Sequence, residues 1–449
     1  MAAIKDIVVN VIDGVINATG VNFGVPILLG FVGSRAIVKW GSGVSGIVAK
    51  SVARNGDFNL EVIVSGAVYD YDLTGTDLVI TVPVGARVRD LLADFAANAP
   101  GPVLALVSLA ATGTGSGPVL ALAATDSNFL LYQEVRDLAQ LAYYYDSTDL
   151  DYKLVKNILA SAPSPNVVYL LNCFGITEAN IGAHIQLRDD GKWFMVLTGS
   201  TTEAMQQAIA DYVNAVDRVA LFCSNTDARL DAVKGDNIAY LIHDAEADHP
   251  EVSWAAKNLP NVPSVGWKFT SNLYGQVPNA TADLTDLLNV RNKKGQSYVS
   301  ANGVAYVDGS QINSQSSQLY IDQAISRKWI KINLQIDLLN LFLQAAAQGS
   351  KIPYTDSGIN QILSVIETRL NNAGKLGIIA PVETTDQAKV SADGQFRFKV
   401  TSLSRTEIET SQPADIVGRV LTGVKYEYIE AGAIERIDPV TGVILLTEG

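Results

Sequence analysis

The densest run of groups able to hold a proton or a metal ion is HDAEADHPE, residues 243–251, which carries His243, Asp244, Glu246, Asp248 and His249. Imidazoles beside carboxylates are the material of general acid–base catalysis or of a metal site. The run follows an apolar, strand-like segment, and ligands in α/β sheets gather outside the carboxyl ends of strands. Its spacing matches no metal-ligand motif, however. Acidic turns are common in so negative a chain, so a solvated loop is the favoured reading. TGSTT (198–202) offers hydroxyls at a second such position. GTGSG (113–117) resembles a phosphate-binding loop only loosely, because no Lys-Ser or Lys-Thr follows it. GVSGI (43–47) lacks the final glycine of a nucleophile elbow. With three histidines, His184, His243 and His249, a Ser-His-Asp arrangement has few candidates. Cys173 and Cys223 sit in the apolar runs VVYLLNCFG and RVALFCSN without metal-ligand spacing, and read as inert core residues in a reduced setting. No catalytic residue, metal ligand or cofactor is assigned.

One further segment presents hydroxyls and a carboxylate: QGSKIPYTDSGINQ, residues 348–361. Its neighbours decide its meaning. Before it runs LYIDQAISRKWIKINLQIDLLNLFLQAAAQ, the longest helical pattern in the chain. Ile321, Ile325, Trp329, Ile332, Ile336, Leu339 and Leu343 share one stripe, and Ile330, Leu334, Leu338 and Leu341 form an opposing one. A helix with two apolar faces is sandwiched, inside a domain or between subunits. Gly349 stands where a helix stops, and Pro353 forbids continuation. Thr355, Asp356 or Ser357 can cap the next helix, GINQILSVIETRLNNAG, with its stop at Gly374. The segment is a joint between helices.

Composition is that of a globular protein, 48% hydrophobic and 18% charged over 449 residues, with material for several domains. A formal net charge of −13 argues against a nucleic-acid partner. No uninterrupted apolar run is long enough to span a membrane. The opening MAAIKDIVVNVIDGVI, broken by Asn10 and Asp13, is a poor signal peptide.

Along the chain, NFGVPILLGFVG (22–33) reads as a strand with Pro26 at its start or on an edge. Residues 60–82 give two β-rich runs around turn formers at 72–75. RVRDLLADFAA (87–97) has helical spacing, and two copies of GPVLAL, at 101–106 and 117–122, suggest a hairpin or local duplication. NFLLYQEVRDLAQLAYYY (128–145) reads as helical. Between 150 and 270, runs such as VVYLLNCF, WFMVLTG, RVALFCS, IAYLIHD and SVGWKF alternate with helix-like ones, the rhythm of βαβ units and a largely parallel sheet. Residues 271–318 are turn-rich. AGAIERIDPVTGVILL, around the Asp438–Gly442 turn, reads as a terminal hairpin over 433–447. The expected class is α/β, α+β as a whole.

Three stretches resemble the contractile tail sheath proteins of bacteriophages, the simple sheaths of myophages. They are the N-terminal IVVNVIDGVINATGVNFGVPILLG, the block from GQSYVSANGVAYVDG through IPYTDSG to LGII, and the terminal hairpin. The resemblance implies a layered α/β middle domain plus a sheath-type core built from the C-terminal third and both termini, with extended β arms. The implied divisions are 1–25 (arm and first core strand), 26–146 (β-rich insertion), 147–290 (α/β domain), 291–425 (C-terminal core) and 426–449 (hairpin arm). It implies a non-enzymatic subunit of the virion tail, assembled in the host cytoplasm. Hexameric rings would stack around a tail tube, linked by donated strands, and contract to drive the tube through the envelope. Partners would be other copies of the chain, the tube protein, and baseplate and terminator proteins, with no nucleic acid and no membrane insertion. Ile7, Val9 and Val11 would serve the N-terminal arm, and Ile434, Ile437, Val443 and Leu445 the C-terminal hairpin. Arg327, Lys328 and Lys331 on the long helix would face the tube, although a solvated polar face accounts for them equally well. The alternatives are another baseplate or tube-associated component, or an α/β enzyme with its site near 243–249.

Overall fold

The structure, a computed structural model of the chain, describes residues 21–434 except 46, 55–56, 66–67, 127–130, 280–283, 315–319, 384–390 and 392–393. In chain order, β1 (Pro26–Gly30) precedes a section made of β2 (Ile37–Trp40), β3 (Ile47–Ser51), β4 (Asn59–Val64), β5 (Asp70–Thr74), β6 (Asp77–Val82), α1 (Val88–Asn98), α2 (Gly101–Leu106), β7 (Val107–Ala111) and β8 (Leu122–Asp126). Next come β9 (Tyr132–Val135), α3 (Leu150–Ala160), β10 (Val168–Asn172), α4 (Glu178–Gln186), β11 (Met195–Thr198), α5 (Glu203–Ala215) and β12 (Val219–Ser224). They are followed by α6 (Arg229–Ala232), β13 (Ile238–Ile242), α7 (Pro250–Asn258), α8 (Leu284–Asn292), β14 (Gln296–Ala301) and β15 (Val304–Val307). The C-terminal part holds α9 (Ile321–Ala347), α10 (Asp356–Lys375), β16 (Phe398–Thr401), α11 (Arg405–Ser411), α12 (Pro413–Gly418) and β17 (Lys425–Tyr428). No helix among the described residues is long and apolar enough to cross a membrane.

The alternating apolar runs do build a parallel sheet, in the order β15-β14-β13-β12-β11-β1-β10-β9. Strands β14 to β10 in that order are parallel, and β15 and β9 close the two edges antiparallel. Alternation along β1 explains why its residues are apolar without a break. Leu28 joins Leu170, Leu197, Leu221 and Leu241 on one face, under α3, α7 and the start of α9. Ile27 and Leu29 join Leu171, Val196 and Phe222 on the other, under α4 and α5. A strand buried on both faces has no place for a polar residue. Pro26 stands first in β1, where its missing N–H costs least.

Residues 36–122 have a core of their own, with β2-β3-β7 and β5-β6-β4-β8 as its sheets. The turn in 70–82 falls after Thr74, so Asp72–Thr74 belong to β5 rather than to the turn expected at 72–75. The two GPVLAL copies do not pair. The first is α2, and the second runs extended, with Pro118 bridged to Arg87. The stretch read as helical to Tyr145 holds strand β9 and short turns instead. SVGWKF is irregular, and the turn-rich 271–318 contains α8, β14 and β15.

Helix α9, at 27 residues about 40 Å long, has the two faces its stripes require. Ile321, Ile325 and Ile332 are buried against the sheet core. Ile330, Leu334 and Leu338 pack with Ile366 and Leu370 of α10 and Phe398 of β16. The last turns outrun this cover, leaving Phe342 and Leu343 exposed. Gly349, at φ +65°, follows α9 as expected. Thr355 caps α10 by accepting from the Gly358 N–H at 3.3 Å. Gly374 does not end that helix. It lies inside it, against the Phe396 ring, and the chain turns at Gly377, φ +76°.

Candidate functional site

The 243–251 run is divided by the fold. His243 directly follows β13 and is buried, with Nε2 2.9 Å from the Val277 carbonyl oxygen and Nδ1 accepting from the Ala245 N–H at 3.1 Å. Both ring nitrogens are therefore engaged by backbone. His249 lies in the left-handed region (φ 51°) just before α7, with Nδ1 2.9 Å from Glu251 Oε1. Both residues of that pair are buried, and the Cys223 thiol lies beside Glu251. Burial lowers the His249 imidazole pKa, but the Glu251 carboxylate, with Glu246 and Asp248 near, outweighs it and raises the pKa on balance. Burial holds the Cys223 thiol well above its usual value, so it stays protonated. Asp244 and Asp248 point to solvent, and Glu246 accepts from the Asn225 N–H at 2.7 Å. Among the described residues no three His, Cys, Asp or Glu side chains are grouped to hold a metal. What the sequence places in one run is thus a backbone clamp, an inward ion pair and an exposed acidic turn. Glu251, the partner that matters, is signalled only by Pro250, which starts the helix carrying it.

The other hydroxyl and glycine runs are also consumed by structure. Thr198 Oγ1 accepts from the Ser200 N–H at 3.1 Å, and Arg229 Nη1 donates to the Thr201 carbonyl at 2.9 Å. At GTGSG, the carbonyls of Gly117 and Gly115 accept from the Val88 and Arg89 N–H groups, each at 3.0 Å. Those are donors of the α1 N-terminus that a phosphate would need. In 348–361, Asp356 accepts from the Arg405 N–H at 2.7 Å, and the Tyr354 hydroxyl donates to the Val420 carbonyl at 3.1 Å. The segment ties the α9–α10 pair to α11 and α12.

The cations of α9 are paired within the chain. Arg327 makes a two-pronged contact with Glu430, at 2.6 and 3.0 Å, fastening the segment after β17 to the helix. Lys331 lies 2.9 Å and Lys328 3.8 Å from Asp217, just after α5. Burial lowers the Lys328 pKa. Ile434 is 85% exposed. Ile7, Val9, Val11, Ile437, Val443 and Leu445 lie outside the described residues, as does most of the hairpin expected over 433–447.

The C-terminal part offers a binding feature of a different kind. Strands β16 and β17 pair antiparallel, Phe398 opposite Tyr428 and Thr401 opposite Lys425, and past the Phe398–Tyr428 end isolated bridges join Ile379 to Glu430 and Pro381 to Phe396. Phe398, Val400, Tyr426 and Tyr428 face the α9–α10 core, and Lys399, Lys425 and Glu427 lie on the alternate face. A two-stranded ribbon is marginal by itself. Packing on α10 holds this one, and it has the form of a platform to which further strands can be added.

By sequence, no family model and no curated protein matches this chain. By structure, it is similar to a chain of the anti-feeding prophage (AFP) baseplate, solved by cryo-EM and six-fold symmetrised. The TM-score is 0.54 and the identity 13%, over 70% of this chain and 88% of that one. At this identity the likeness shows a shared fold. A chain of the sheath complex of an extracellular contractile injection system, PVC, in the contracted state, is 12% identical at a TM-score of 0.49, over 69% of this chain and 86% of that one. A chain of the AFP helical sheath in the contracted state is 14% identical at 0.45, over 71% and 88%.

Proposed function

We propose that this chain is a non-catalytic structural subunit of a contractile tail sheath. One observation carries the reading: the fold shared with a chain of the AFP baseplate across 70% of this chain. The sequence resemblance to myophage sheaths, reached on different grounds, supports it. So does the engagement of His243, His249 and the 198–202 and 113–117 runs by their own backbone or core.

In this reading the subunits form six-fold rings that stack around a tail tube in the virion tail. The β16–β17 ribbon accepts strands from neighbouring copies, with residues 1–20 (Ile7, Val9, Val11) and the C-terminal hairpin (Ile434, Ile437, Val443, Leu445) as donors. Each main-chain hydrogen bond contributes about 0.5–1.5 kcal/mol net, so a short donated strand is worth a few kcal/mol before side chains. A head-to-tail contact that does not close on itself yields a helical lattice. The α9–α10 pair faces inward to the tube. Arg327, Lys328 and Lys331 serve there by holding α9 to Glu430 and Asp217, and the charge of those clusters meets the tube. Contraction exchanges one set of subunit contacts for a more extensive one, and the arms pass the change from ring to ring. Baseplate and terminator proteins bound the stack.

The test is negative-stain electron microscopy of the purified chain over a range of concentrations, alone and with tube protein. Hollow tubes or decorated tube are expected. Removing 433–449 should abolish them while circular dichroism shows the monomer still folded. Undecorated tube at high concentration of the intact chain would overturn the assignment.

A further inference from the structure

We propose that residues 36–126 form a unit that turns on a joint locked by charge, and that Asp146 is the latch. The apolar cores do not cross this joint. The core of the unit draws only on residues between Ala36 and Leu122, and the two cores flanking the eight-stranded sheet take none of them. What crosses is cationic on the side of the unit and acidic or aromatic on the side of the sheet. Lys50 of β3 and Arg35 of the connecting segment each meet Asp146 at 2.9 Å. Arg54, just after β3, pairs with buried Asp149 and donates to the Gly33 carbonyl at 3.1 Å. Lys39 of β2 lies 3.4 Å from the centre of the Tyr143 ring. Asp149 also accepts from the Asp146 N–H at 2.7 Å, so the two acids are set by one turn leading into α3.

Arg35 is the pin of this joint. Its backbone N–H donates to the Tyr144 carbonyl at 2.9 Å, while its guanidinium reaches the Ser51 carbonyl at 3.2 Å and Asp146. An interface lacking a continuous apolar core lets bodies move relative to one another. Ion pairs at a half-exposed carboxylate weaken as salt rises, whereas the apolar cores do not. Asp146 is 46% exposed and meets three cations, Arg35 and Lys50 closely and Arg54 at 3.9 Å, so neutralising it weakens several of the crossing contacts at once. The unit then swings with both bodies intact. This inference does not rest on the sheath reading, because it concerns one chain alone.

The test uses the full chain below the concentration at which it self-associates. Paired labels go on cysteines introduced at exposed Asp77 and Glu178; native Cys173 and Cys223 are buried. Distance distributions and hydrogen exchange are then compared for the parent, Asp146→Asn and the control Asp72→Asn. Asp146→Asn should broaden the distribution, and the Arg35 amide should exchange about tenfold faster, with β4, β6, β12 and β13 still protected. Raised salt should broaden the parent in the same direction. An unchanged distribution in Asp146→Asn, or loss of protection in β4 and β6, would overturn the proposal. The first outcome would mean that other contacts hold the joint, and the second that the network holds the unit's own fold.

Discussion

His249 shows how a residue that invites a catalytic reading can be spent on stability. It faces Glu251 in a dry setting, with Glu246, Asp248 and the Cys223 thiol around them. Its folded pKa is raised above the ordinary value near 6.5. The protonated form is therefore the one folding favours, so its stabilisation is complete below about pH 6.5 and is lost as pH rises through the folded pKa. Asp151, whose pKa burial pushes up to about 6, acts with the same sign lower down: its share is present below about pH 4 and lost on rising through 6. Thermal unfolding midpoints should thus fall as pH rises above about 6.5 in the parent and flatten in His249→Gln. An equally steep fall in the variant would refute the assignment. Glu251→Ala, which leaves the buried His249 ring without its carboxylate partner, should cost about 1–3 kcal/mol. The sequence displayed these side chains but not their directions. Whether a histidine points out of a turn or under a helix depends on one left-handed residue, and no periodicity records that.

At the scale of elements, local rules were readable wherever the chain decides its own course. Gly349 and Thr355 end and begin helices for reasons contained within a few residues. Gly374 was misleading because its glycine character serves packing. A Cβ there would sit 2.4 Å from the Phe396 ring, within the helix. Gly374→Ala should therefore cost about 1–3 kcal/mol through overpacking, and Gly377→Ala about 1–2 kcal/mol through its left-handed backbone. Chemical denaturation of the two variants, each alone and with Phe396→Leu, separates the causes: only the first should be relieved by the smaller partner. The GPVLAL copies make the complementary point. Identical hexapeptides become a helix after Pro100 and an extended segment beside Arg87, so partners across space overrule propensity. Strand β9 was illegible for a similar reason. It is an edge strand whose Tyr132 stacks on Tyr169 and whose Glu134 accepts from the Tyr169 hydroxyl at 2.7 Å, giving it no clean alternation.

For the whole molecule, the rhythm from 150 to 270 was enough to announce a parallel sheet. It could not announce that the sheet's interior strand comes from residues 26–30, lodged between β10 and β11. Pairing across so long a separation leaves no mark in a local pattern. Leu28→Ala should consequently cost about 2–5 kcal/mol, and the loss should fall on the sheet body. Hydrogen exchange should speed across β10 to β13 while β4 and β6 keep their protection. Uniform acceleration would mean that the two bodies unfold as one.

The placement of β1 also dictates an order of events on the ribosome. Once β1 is made, about 140 residues must be added before β10 exists, a wait of roughly 7–30 s at 5–20 residues per second. Everything needed for the core of 36–122 emerges during that interval. The nascent chain therefore carries a finished 36–122 unit while an apolar pentapeptide, PILLG, waits without neighbours. That pause is the moment when the chain most needs a chaperone.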